Sequence, residues 1–240
     1  MQVHIIPDLI ALTFSNASID KFGGIPVIGL GLPGILGWNR SLKRSFDVLA
    51  VSVGLILFSP LFLVIAILIK LDSKGSIFYC HERIGLNGCT IRMWKFRTMI
   101  QGADQLLEKF LKNNSNLKTE WEAKFKLEND PRITRIGRIL RKWSLDELPQ
   151  LYNVLLGEMS LVGPRPIVEV EIERYRGDIS LYKKVRPGIT GLWQVSGRTD
   201  VSYKSRIGFD THYVMNWSFW LDINILFRTF GVLLKRKGAF

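Results

Sequence analysis

Residues Val48 to Ile69 carry no charge over about 22 consecutive positions, and no other feature restricts the fold as tightly. As a straight helix the run measures about 33 Å, against about 30 Å of bilayer hydrocarbon. Length alone therefore allows it to span a membrane. Two details favour a different path. Ser59 and Pro60 stand at its midpoint, where proline removes a backbone donor and bends a helix. Its flanks are basic on both sides, with Lys43 and Arg44 before and Lys70 and Lys74 after, and positive flanks favour the cytoplasmic side. A helix that enters, breaks at Ser59-Pro60 and returns satisfies both details, with Ser59 bonding a carbonyl freed at the break. A kinked spanning helix satisfies the length equally well. A buried core helix of a soluble protein is disfavoured at this length.

The charge balance agrees with a membrane setting. The 240 residues hold 33 basic and 21 acidic side chains, a net charge of +12, and yet the mean hydropathy is +0.14. Excess positive charge calls for an anionic partner. Combined with high hydropathy, it favours an acidic membrane face or a phosphorylated substrate over nucleic acid. The length suits one catalytic domain with appendages. Two cysteines, Cys80 and Cys89, form neither a zinc pattern nor a disulfide framework. The first residues lack the basic start and small-residue cleavage site of a signal peptide.

Around the apolar run the chain reads as α+β and mostly helical. Residues 1–40 form a loop-rich lead-in: Phe22 to Gly37 contains six glycines and two prolines. Ile77 to Tyr79 and Ile91 to Trp94 predict short strands around an Asn87-Gly88 turn. Helices are expected over Gln101–Glu128, Ile133–Lys142, from Ser144 onward, and over Ile167–Tyr175. Asn216 to Lys237 places Trp217, Trp220, Phe227 and Phe230 largely on one side and ends in Lys235, Arg236 and Lys237. Such a pattern suits a helix lying in a membrane interface or one packed on the protein's own core.

Three strings could carry chemistry. In Ser144-Leu145-Asp146-Glu147, the serine and glutamate fit a capping box. Asp146 sits on the expected first helical turn, where backbone N–H groups favour negative charge. An aspartate there can attack phosphorus, and a neighbouring glutamate can hold a divalent cation. In Gly163-Pro164-Arg165-Pro166, two prolines fix the backbone around Arg165 and lower the cost of presenting its guanidinium to phosphate. Arg186-Pro187-Gly188-Ile189-Thr190-Gly191, followed by Ser196-Gly197-Arg198, reads as a glycine-rich loop region with two arginines. Lys95, Phe96 and Arg97 follow a predicted strand. No Ser–His–Asp or Cys–His arrangement and no Walker loop is present.

Taken in order, eight strings resemble the bacterial sugar transferase family, the monotopic phosphoglycosyl transferases acting on polyprenol phosphate. They are Lys43 to Asp47, Ser59-Pro60, Lys95 to Met99, Asp130 to Thr134, Ser144 to Gln150, Gly157 to Pro166, Arg186 to Gly191, and Gly197-Arg198. Eight ordered matches over about 200 residues are far more specific than any one motif. The resemblance implies a catalytic domain over 41–240 that enters the inner leaflet through a re-entrant helix, 47–70, broken at Ser59-Pro60. It implies a small β element and interfacial amphipathic helices, with the domain on the cytoplasmic face of the bacterial inner membrane. The catalytic dyad falls on Asp146 and Glu147, with Asp146 as nucleophile in a covalent, ping-pong reaction and Glu147 the contact for Mg2+. Lys95, Arg97, Arg132, Arg165, Arg186 and Arg198 fall on the family's basic positions and, with Pro164 and Pro166, are assigned to substrate binding. The implied donor is a UDP-sugar, UDP-galactose or UDP-glucose, and the acceptor is polyprenol phosphate at the start of surface-glycan assembly. Longer members carry an upstream region that this sequence does not show, so the chain reads as a short member or a catalytic fragment. Oligomeric state is left open. Competing readings are a membrane-surface adaptor, which would consume no UDP-sugar, and a nucleic-acid binder, for which no motif is present.

Overall fold

The computed structural model describes residues 18–22, 25–29, 35, 37–113, 127, 130–197 and 202–235. Two strands, β1 (Ser18–Phe22) and β2 (Ile25–Gly29), pair antiparallel. Part of the glycine-rich lead-in expected to be loop is thus a hairpin, and Ile25, Val27 and Ile28 are the β-favouring residues that make it one. The apolar run lies inside α1 (Trp38–Asp72, 35 residues). Then follow β3 (Phe78–Ile84), β4 (Thr90–Phe96), α2 (Ala103–Asn113), α3 (Arg135–Lys142), α4 (Gln150–Leu156) and β5 (Ser160–Val162). The last part holds α5 (Ile172–Tyr175), α6 (Ile179–Tyr182), β6 (Gly188–Thr190), α7 (Leu192–Ser196), α8 (Tyr203–Met215) and α9 (Phe219–Lys235).

Helix α1 does not end at its proline. Pro60 lies within it, and the carbonyl that loses its donor there is that of Ile56, four residues back. The Ser59 hydroxyl donates to that oxygen at 2.8 Å. The expected rescue of the carbonyl by Ser59 is present, and helical structure runs on where the sequence pointed to a break. The two arms bury narrow stripes against the same body. Val51 packs with Ile91, Met93, Val154 and Met159. Ile65 and Ile69 pack with Phe96 and Leu140. Between these stripes every residue from 56 to 60 is exposed, with Ile56 at 74% and Leu57 at 70%. Only 11% of the most apolar window of α1 is buried. The helix therefore leaves its apolar surface uncovered by the described residues, unlike the core helix of a soluble domain.

Polar anchors hold both ends of α1. At its base the Lys43 ammonium meets Asp222 of α9 at 2.5 Å, with both side chains buried. The Tyr213 hydroxyl donates to the other Asp222 oxygen at 2.7 Å. One turn on, Asp47 accepts from the Ser160 hydroxyl at 2.7 Å. Arg44 donates to the carbonyls of Val154 and Leu155, satisfying the C-terminal end of α4. At the far end, Asp72 accepts from the Ile136 N–H at 3.0 Å, tying α1 to the first turn of α3.

Strands β3 and β4 form the expected hairpin, longer than predicted, with Asn87 and Gly88 both at positive φ in the turn. The Arg186-to-Gly191 string, expected to be loop, contributes β6, which pairs parallel with β5 in the register Ser160↔Gly188 and Val162↔Thr190. The reason is steric. A Cβ on Gly188 would lie 2.1 Å from the Gly163 nitrogen, so glycine here permits close backbone approach.

Removing one partner of the buried ion pair leaves the other charged and unpaired. Lys43→Ala is expected to cost about 3–5 kcal/mol, seen as a fall in denaturant midpoint of the detergent-solubilised chain. The double change Lys43→Met with Asp222→Leu recovers most of the loss. Equal loss in single and double variants would show that the pair is not the anchor.

Candidate active site

The site begins with a conformation that the sequence did not forecast. Ser144 adopts left-handed φ and ψ of 54° and 23°, and its side chain makes no capping hydrogen bond. Leu145 to Glu147 then form one 3-10 turn, and α4 proper starts after Pro149. The expected capping box is absent because Glu147 turns outward to another partner. Its Oε1 accepts from Lys95 Nζ at 2.7 Å. The same ammonium stands 3.9 Å from Asp146 Oδ2. A lysine on β4 thus bridges two adjacent carboxylates on the 3-10 turn.

Asn153 sets that register. It is fully buried, and its amide serves β4 as a neighbouring strand would. Its Oδ1 accepts from the Trp94 N–H at 3.0 Å and its Nδ2 donates to the Arg92 carbonyl at 2.7 Å. The α4 helix is thereby fixed against β4, which places Lys95 opposite the turn preceding α4. A buried backbone group without such a partner would cost about 1–3 kcal/mol.

The dyad opens into a cleft of about 990 Å³ whose walls include Lys95, Arg97, Arg141, Arg165 and Trp193. This volume suits a nucleotide-sized ligand. Asp146 is the deeper carboxylate, its side chain 13% exposed against 35% for Glu147. Burial pushes its pKa up to about 6, Lys95 opposes the rise and the Glu147 charge adds to it. A carboxylate made more basic by burial is a better nucleophile than an exposed one.

The sequence-assigned cations do not all converge. Lys95 and Arg165 reach the cleft with the dyad, and Pro164 and Pro166 are buried on either side of Arg165. Arg97 lines the cleft, but its guanidinium donates to the carbonyls of Ser73 and Lys74 and ends α1. Arg132 is buried in a two-pronged pair with Asp130, at 2.8 and 2.6 Å. Arg186 donates to the Gly157 carbonyl and lines a separate hollow with Arg40 and Arg44 at the base of α1. Arg198 lies outside the described residues. Ser59 and Pro60 are in α1, away from the cleft lining.

Arg141, within the helix expected over Ile133–Lys142, had attracted no assignment from the sequence. It lines the cleft and donates to the Thr98 hydroxyl at 2.9 Å. Arg83, Trp193 and Arg206 had attracted no assignment. Their joint position depends on β3, α7 and α8 meeting, and no local pattern signals that. Among the described residues no three acidic, histidine or cysteine side chains gather as a metal cage. Adjacent Asp146 and Glu147 oxygens still fit Mg2+, which takes one or two carboxylates and completes its shell with substrate phosphates and water.

Beside the cleft, Tyr175 donates to Asp210 Oδ2 at 2.8 Å. Burial pushes the Asp210 pKa from 3.8 up to about 7. The folded chain then holds a proton that the unfolded carboxyl releases. The resulting stability is fully present below the unfolded pKa of 3.8 and is lost as pH rises through about 7. Asp210→Asn should flatten the unfolding free energy across that window in a pH series of denaturant titrations. An unchanged slope would show that Asp210 is not the titrating group.

A family model described as bacterial sugar transferase matches residues 38–236. The chain is 54% identical over 198 residues to the exopolysaccharide production protein ExoY of Rhizobium meliloti, covering 82% of this chain and 88% of that one. It is 50% identical over 241 residues to an undecaprenyl-phosphate galactose phosphotransferase of Salmonella typhimurium, covering 100% of this chain and 50% of that one. It is 40% identical over 247 residues to a UDP-glucose:undecaprenyl-phosphate glucose-1-phosphate transferase of Escherichia coli, again covering 100% of this chain and 50% of the relative. The chain therefore spans about half the length of the last two.

Proposed function

The chain belongs to the bacterial sugar transferase family, and on that premise we propose that it moves a hexose-1-phosphate from a UDP-sugar onto polyprenol phosphate. The products are polyprenol-diphosphate-sugar and UMP. The observation that carries this reading is the buried Asp146 carboxylate, set beside a Lys95–Glu147 pair at the wall of a nucleotide-sized cleft. The names of the Salmonella and Escherichia relatives favour galactose or glucose as the hexose.

In the first half-reaction an Asp146 oxygen forms a bond to the β-phosphorus, and the bond from that phosphorus to the bridging oxygen breaks. The electron pair leaves with UMP, and the sugar phosphate stays on Asp146. In the second, a phosphate oxygen of the polyprenol carrier attacks the same phosphorus and Asp146 departs as carboxylate. Such transfer depends on positioning and charge neutralisation. Lys95 keeps Glu147 and Asp146 oriented and offsets their mutual repulsion. Glu147 would hold a magnesium ion, which would supply further neutralisation of the diphosphate.

Helix α1 belongs to the same proposal. The residues on either side of Pro60 pack on the body that carries the cleft, and the middle of the helix at residues 56–60 is bare. These features support a helix that dips into the cytoplasmic leaflet of the inner membrane and returns. The lipid acceptor then meets the dyad without leaving the membrane surface.

Two measurements test the reading. Asp146→Asn should abolish UMP release across a panel of UDP-sugars with polyprenol phosphate and magnesium, and membrane association should persist. Retained turnover would remove Asp146 as nucleophile. Arg40→Cys and Lys74→Cys, each made with Cys80 and Cys89 changed to serine, should both resist an impermeant thiol reagent applied from the outer face. Labelling of either would establish a spanning helix.

A further inference from the structure

Two guanidiniums, those of Arg83 and Arg165, line the cleft, and a third, that of Arg206, stands beside them on the Trp193 ring, with too little negative charge nearby to balance the three. Arg83 of β3 and Arg165 line the cleft together with the dyad. Arg206 of α8 stacks over the Trp193 ring at 4.9 Å, and Arg165 lies over the same ring system at 5.6 Å. Burial and then the Arg165 charge lower the Arg83 pKa, and burial and then the Arg206 charge lower that of Arg165. Like charges brought this close repel one another unless an anion sits among them.

The protein's own acids fill that role only in part: Glu147 acts on Arg165 but is paired with Lys95 at 2.7 Å. Glu171 reaches Arg206 only at 3.9 Å, and it also accepts from the Val168 N–H and the Tyr203 hydroxyl. Asp210, pushed up to about 7, is committed to Tyr175. Nε of Arg83 and both Nε and Nη2 of Arg206 are buried with no hydrogen-bond partner among the described residues. Guanidinium forks with open donors match the oxygens of phosphate.

We propose that Arg83 and Arg165, backed by Arg206 across Trp193, form a cradle for a dianionic phosphate monoester next to the dyad. Arg83 and Arg165 present their forks to the cleft, and Arg206 acts through Arg165 as a positioning residue. The proposal rests on the transferase reading for its ligand. When the bond to the β-phosphorus breaks, the departing nucleotide keeps the electron pair and gains one negative charge on its phosphate, and the cradle takes up that charge. The phosphate headgroup of the lipid acceptor has the same chemistry, so the test separates the two sources.

Affinity is measured on the full Asp146→Asn chain in nanodiscs, with UMP, uridine, a short-chain prenyl phosphate and inorganic pyrophosphate as probes. Arg83→Met should weaken UMP about tenfold or more, leave uridine unchanged, and recover in part in Arg83→Lys. Arg206→Met should show a smaller loss in the same probes, with unaltered circular dichroism and thermal midpoint. A parallel loss for prenyl phosphate assigns the cradle to both phosphates, and a loss confined to UMP assigns it to the leaving group. UMP and pyrophosphate affinities within twofold of the parent in Arg83→Met and Arg206→Met would overturn the cradle, even if the unmodified chain releases UMP. Conversely, a chain that releases no UMP from any UDP-sugar, while these variants still lose pyrophosphate affinity, would end the transferase reading and leave the cradle standing.

Discussion

Lys43 and Asp222 are drawn out of water together at the foot of the long apolar helix, with the Tyr213 hydroxyl on the remaining carboxylate oxygen. A lone buried charge would be prohibitive there, and the pair is tolerable because each ion is satisfied by the other, the carboxylate also by the Tyr213 hydroxyl and the ammonium also by the Tyr213 and Trp217 rings. From this contact α1 is tied to α9, and within one turn Asp47 adds the β5 strand and Arg44 the end of α4. Much of the helix surface beyond is apolar and bare. Lipid can cover such a surface at no cost in hydrogen bonds, since a helix satisfies its backbone internally. The polar foot and the bare shaft together orient the globular part toward a membrane.

That orientation gives the cleft its setting. Strand β4 is buried against α1 on one side and held by the Asn153 amide on the other. Lys95 therefore faces the 3-10 turn in a fixed register, and the two carboxylates share one ammonium. The difference in depth between Asp146 and Glu147 separates their environments. The deeper acid is made more basic by burial, and the shallower one is held by lysine at the mouth. Charge on the opposite group of residues is unbalanced in the other sense, with arginines outnumbering the acids that face them. A cleft with two carboxylates at one end and a cationic wall is suited to an anionic, polarised substrate.

Much of this was legible along the chain. The apolar run, the serine that takes the proline's orphaned carbonyl, the β3–β4 hairpin with its Asn87-Gly88 turn, and the adjacent acids all show in short stretches. They are local effects: hydropathy, backbone donors, turn geometry. The errors were local readings as well. Ser144 was expected to cap a helix, and instead its left-handed backbone starts a 3-10 turn because Glu147 finds a stronger partner in Lys95, 52 residues away. The Gly188 string was expected to be loop, and it is strand because Gly163 lies against it.

The same contrast sorts the arginines. The family resemblance marked Arg97, Arg132, Arg165 and Arg186 alike as substrate-binding cations. In the folded chain Arg97 closes α1, Arg132 is spent on Asp130, Arg186 holds the Gly157 carbonyl, and Arg165 joins the unforeseen Arg83 and Arg206 around Trp193. The sequence by itself determined that this chain has a membrane-seeking helix, an acidic dyad and a surplus of positive charge, because composition and short-range periodicity encode those properties. Only the tertiary structure decided which cations face the dyad and which merely hold carbonyls, because a guanidinium bonds whatever acceptor the packing of distant elements brings within about 3 Å of it.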